Sequence, residues 1–65
     1  MIELLIEARR AHGLTQAELG TRVGQRQSFI SKVELGERRL DAAEFIELGR
    51  AIGADPYALM RQAEG

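Results

Sequence analysis

Apolar residues in this chain recur three and four positions apart, in short runs separated by glycines and polar residues. Ile2, Leu5, Ile6 and Ala8 open the series, Ala17, Leu19 and Val23 continue it, and Ile30 with Val33, then Phe45, Leu48 and Ile52, complete it. That spacing lines each set along one side of a helix, and a two-residue strand alternation is sustained nowhere. Gly13, Gly24, Gly36 and Gly53 stand just past these runs, where helices end on a residue without a Cβ. The starts are marked too. Thr15 has Glu18 three residues on, the spacing of a capping box, and Asp41 with Glu44 approximates it. Asp55-Pro56 reads as an N-cap followed by proline at the first helical position, where the missing N–H costs nothing. Helices are predicted over about 2–12, 16–23, 27–34, 42–52 and 56–62, in one all-α domain spanning 1–65.

Composition narrows the function more than the fold. At 65 residues there is no room for a second core, and a chain this short buries only about 60% of its unfolded surface. Cysteine is absent, which excludes a disulfide framework and a thiolate metal site. His12 is the single histidine, beside Gly13, a place better explained by the negative end of a helix dipole than by catalysis. With no nucleophile–base pair and no set of metal ligands, an enzyme is not expected, nor is a cofactor. No apolar run reaches the roughly 20 residues of a membrane span, and the first residues lack the basic start of a signal peptide. The expected location is cytoplasmic.

Net charge is −1, which by itself does not suggest a polyanionic partner. Its distribution does. Residues 9–39 hold seven cations against three acids, a net of +4, while residues 1–8 carry −2 and residues 40–65 carry −3. Such a concentration of positive charge around one stretch is the footprint expected of nucleic-acid binding, although mixed surface charge also serves solubility alone.

That stretch contains two short helices joined at Gly24. Gln16-Ala17-Glu18-Leu19, Gly24, Gln27-Ser28-Phe29-Ile30-Ser31-Lys32 and Glu34 together resemble the Cro and phage-repressor (XRE) family of helix-turn-helix regulators, over roughly residues 2–60. Three positions depart from the family pattern. Gly20 replaces the usual Ala, at a helix-propensity cost of up to about 1 kcal/mol; Gln25 replaces an apolar turn residue; Arg26 replaces the usual Ser or Thr N-cap.

The resemblance implies a five-helix, lambda-repressor-like DNA-binding domain whose third helix enters the major groove of double-stranded DNA. Gln27, Ser28, Ser31 and Lys32 are then the candidates for base edges, since Gln pairs with adenine, Lys donates to guanine and Ser bonds with less discrimination; the bland reading is a solvated helix face. Phe29 lies beside the buried stripe, suited to the core edge, a sugar or a thymine methyl. Gln16, at a helix N-terminus, is expected at a phosphate, as are Arg26, Arg38 and Arg39. For Arg9 the family pattern implies an ion pair with Glu34 that fixes the docking of the first helix on the third. Tyr57 and Met60 are candidates for a homodimer interface, with Leu59 either there or in the core. The implied function is a homodimeric regulator, foremost a repressor, on an inverted-repeat operator, blocking or recruiting RNA polymerase. An antitoxin or other module that binds a partner protein, such as a toxin, with or without DNA, is the alternative.

Overall fold

The computed structural model describes residues 2–64, with side chains through residue 62. Its elements are α1 (Ile2–Ala11), α2 (Gln16–Arg22), α3 (Gln27–Glu34), α4 (Ala42–Ile52) and α5 (Pro56–Glu64), and no strand is present among the described residues. α1 and α2 each stop one residue before the predicted end, because His12 and Val23 belong to the turns that follow. α5 runs two residues further than predicted; Arg61, Gln62 and Ala63 are good helix formers and no Gly or Pro interrupts them.

Every helix contributes to one core. Leu5 of α1, Leu19 of α2, Ile30 and Val33 of α3, Phe45, Leu48 and Ile52 of α4, and Leu59 of α5 are buried together with Leu14, each large side chain contributing about 1.5–3 kcal/mol by leaving water. Leu59 therefore belongs to the core. α2 packs chiefly on α3, and α1 lies across α3, α4 and α5.

Polar side chains set the helix starts. The Thr15 hydroxyl accepts from the Glu18 N–H while the Glu18 carboxylate accepts from the Thr15 N–H, both at 3.0 Å. Asp41 forms the same reciprocal pair with Glu44, at 2.7 and 3.4 Å, so the aspartate completes a full capping box. The Asp55 carboxylate accepts from the Tyr57 N–H at 3.0 Å and starts α5 behind Pro56. The approach of α5 to α4 is very close: a Cβ at Gly49 would lie 2.9 Å from the Cβ of Pro56.

Candidate nucleic-acid interface

Two helices and a tight turn build the site. α2 ends where the Gly24 N–H donates to the Thr21 carbonyl at 3.2 Å and the Gln25 N–H donates to the Gly20 carbonyl at 2.8 Å, the paired closure of a Schellman motif. It requires Gly24 at φ +70. The turn then folds back onto α2 so tightly that a Cβ at Gly20 would meet the Gln25 carbonyl oxygen at 2.9 Å and the Arg26 carbonyl carbon at 3.2 Å. Gly20, read from sequence as a loss of helix propensity, is the residue that admits this contact. Gln25 is exposed, and beneath the turn a crevice of about 40 Å³ opens between it, Val23, Phe29 and Leu48. Arg26 takes the extended N-cap conformation (φ −84, ψ 159) with no side-chain cap bond. Its guanidinium is left for solvent.

Behind α3 lies a continuous set of hydrogen bonds. Arg9, with only 9% of its side chain exposed, clasps Glu34 through Nε–Oε2 at 2.7 Å and Nη2–Oε1 at 3.0 Å. Its third nitrogen, Nη1, donates to the Leu14 carbonyl at 2.8 Å and so ties the α1–α2 turn into the same group. Burial by itself would raise the Glu34 carboxyl, but the hydrogen bonds from Arg9 and Gln16 and the charges of Arg9 and Arg10 outweigh it and hold the group below its ordinary 4.5. Gln16 donates through Nε2 to Glu34 Oε1 at 3.0 Å, which turns its own carbonyl oxygen toward Gln27, whose Nε2 donates to it at 3.4 Å. A buried charge on α1 is thus linked to the first residue of α3.

From Gln27 the polar face of α3 continues outward: Gln27, Ser28 and Lys32 are exposed and Ser31 is half-buried. Phe29 packs its ring against the core edge, and the Arg38 guanidinium stacks over it, 4.8 Å from the centroid. Arg38 Nη2 also donates to Glu44 Oε2 at 2.9 Å, so this carboxylate caps α4 with one oxygen and holds an arginine with the other. An open cleft of about 390 Å³ is lined by Arg26, Lys32 and Arg38 with Ser28, Phe29 and the Gly24–Gln25 turn. Arg39 is exposed on the same loop.

A helix-turn-helix family model matches residues 5–59, most of the chain. A solved structure described as an XRE-family like protein from Pseudomonas syringae pv. tomato str. DC3000 is 56% identical and superposes with a TM-score of 0.93, over 97% of this chain and 77% of that one. The chain belongs to the XRE helix-turn-helix family. At the level of that family it is a DNA-binding regulator of transcription. Among curated proteins nothing matches it.

The remaining surface of this helix-turn-helix protein is uneven. Tyr57 is 54% exposed on α5. Met60 is half-buried and lines a groove of about 580 Å³ with Ile2, Leu40 and Phe45, and with Arg38, Arg39 and Asp41. Leu35, which no pattern in the sequence distinguishes, is 72% exposed at the end of α3. Arg22 is engaged away from the motif's outer face, donating to the Ala51 carbonyl in the last turn of α4 at 2.9 Å. His12 lies beside Gly53, where the C-terminal end of α4 meets that of α1. No cluster of three His, Cys, Asp or Glu able to hold a metal occurs among the described residues, and no helix there is long and apolar enough to cross a membrane.

Proposed function

We propose that this protein binds double-stranded DNA sequence-specifically as a transcriptional repressor, a homodimer on an inverted repeat with α3 in the major groove. The observation that carries this reading is the division of α3: Ile30 and Val33 face the core, while Gln27, Ser28 and Lys32 are exposed beside Arg26 and Arg38. Gln27, Ser28, Ser31 and Lys32 are assigned to base edges, Ser31 with the least reach. The Gln27 amide nitrogen gives one hydrogen to Gln16, which leaves its oxygen to accept from an adenine amino group and its second hydrogen to donate to the adenine N7. Gln16, Arg26, Arg38 and Arg39 are assigned to phosphates, which set register without reading sequence.

Pairing follows from affinity. A single unit held by phosphates alone binds with dissociation constants of about 10⁻⁴–10⁻⁶ M, too weak to single out one site. Two copies on half-sites roughly 34 Å apart multiply the contacts. Tyr57 and Met60, with the apolar residues Ile2 and Leu40 that line the same groove as Met60, support α5 as the pairing surface. A dimer so placed would exclude RNA polymerase from an overlapping promoter.

Affinity selection on random duplexes in a salt series tests the reading. A palindrome whose enrichment disappears in Gln27→Ala or Lys32→Ala supports it. Absence of enrichment together with co-purification of another protein reassigns the chain to a protein-binding module of the antitoxin kind. Sedimentation as a monomer on the selected duplex removes the dimer.

A further inference from the structure

We propose that Phe29 and Glu44 are positioning residues for Arg38, and that the three make a preformed seat for one DNA backbone phosphate beside the turn; this rests on the DNA reading above. A guanidinium is planar with five N–H donors, and two constraints are enough to orient it. The Phe29 ring, with the guanidinium carbon 4.8 Å from its centroid, limits where the group can sit. The hydrogen bond from Nη2 to Glu44 Oε2 at 2.9 Å limits its rotation and occupies one donor. Glu44 is itself held, because its other oxygen accepts from the Asp41 N–H in the α4 capping box. Arg38 is consequently anchored to α3 and α4 although it sits on the connection between them with nearly half of its side chain in solvent. The cleft it faces is lined by Arg26 and Lys32 as well, while the Glu44 carboxylate lies outside that lining and offsets part of the charge of Arg38 alone. An anion entering there meets three cations, one of them already oriented.

The test is a double-mutant cycle read by binding. A mixed-sequence duplex of about two helical turns, ~21 base pairs, is titrated against the parent protein, Arg38→Ala, Glu44→Gln and the double variant across a salt series. Gln still serves at the third position of a capping box, and thermal melts verify that the variants are folded; Phe29→Leu takes the place of Glu44→Gln in the cycle should the latter not fold. Arg38→Ala is expected to weaken binding roughly fivefold to tenfold, with a salt slope lower by about 1. Glu44→Gln is expected to weaken it about threefold, and the double variant to bind no worse than Arg38→Ala alone. Undiminished or tighter binding by Glu44→Gln, penalties that multiply in the double variant, or indifference to Arg38→Ala overturns this assignment while leaving DNA binding intact. Failure of the parent to bind any duplex at low salt overturns both.

Discussion

The α1–α2 and α2–α3 junctions turn the chain with the same pair of backbone hydrogen bonds, yet the residues after each glycine are opposite in character. After Gly13 the N–H of Leu14 donates to the Arg9 carbonyl at 3.0 Å, and after Gly24 the N–H of Gln25 donates to the Gly20 carbonyl at 2.8 Å. Leu14 is buried, its carbonyl accepts from Arg9, and Thr15 caps the next helix. Gln25 is exposed, and Arg26 caps nothing. The first junction is locked by side chains. The second is held by backbone pressed on Gly20, which leaves its side chains outside and available to DNA. A motif that must be rigid and also present polar groups to a ligand can obtain rigidity from main-chain contact and keep its side chains for recognition.

Removing the lock of the first junction should have the largest effect. Arg9→Met takes the ion-pair partner from Glu34, leaving it the Gln16 amide, and removes the donor to the Leu14 carbonyl; a stability loss of about 3–5 kcal/mol is expected in denaturant titration. An unchanged midpoint would show that the junction holds without Arg9. At the second junction, Gly20→Ala gains helix propensity worth up to about 1 kcal/mol but presses a methyl onto backbone, where overpacking costs about 1–3 kcal/mol. A net loss of about 1–2 kcal/mol is expected, with the amide resonances of Gln25 and Arg26 shifted most. Stabilisation would mean that the turn yields freely.

The caps supply a finer contrast. Thr15→Ala should cost about 1 kcal/mol, whereas Arg26→Ser, by adding the missing cap, should stabilise by about 0.5–1 kcal/mol and weaken DNA binding. Equal effects of opposite sign on stability and affinity at residue 26 would locate the trade directly. The smallest effect is with pH. Because the folded Glu34 carboxyl lies below its ordinary 4.5, its contribution is fully present above that value and is lost as pH falls through the folded one. The difference in melting temperature between the parent and Glu34→Gln should therefore narrow below pH 4.5, and a gap constant down to pH 3 would contradict the assignment.

The helices were legible because their signals are local: three-and-four spacing, Thr15 with Glu18, Asp41 with Glu44, and glycines at the ends. What escaped the sequence depends on approach between separate pieces of backbone or on a second use of one group. Gly20 looks like a weak helix residue until the turn is seen lying against it. Glu44 is accounted for by its cap, and nothing in its spacing says that its other oxygen holds Arg38. Gln16 was expected at a phosphate on account of its helix N-terminus, and the structure gives its amide partners in Glu34 and Gln27. Leu35 shares its residue type with the core and differs only in where the helix happens to stop.

At the contact between Gly49 and Pro56 two helices meet through a missing side chain and a ring, with no room for a methyl group. If α5 is the surface on which two copies join, the distance between their reading heads is inherited from this close approach. Half-site spacing would then be a fixed gauge of the molecule, and a single methyl group at position 49 would be enough to detune it.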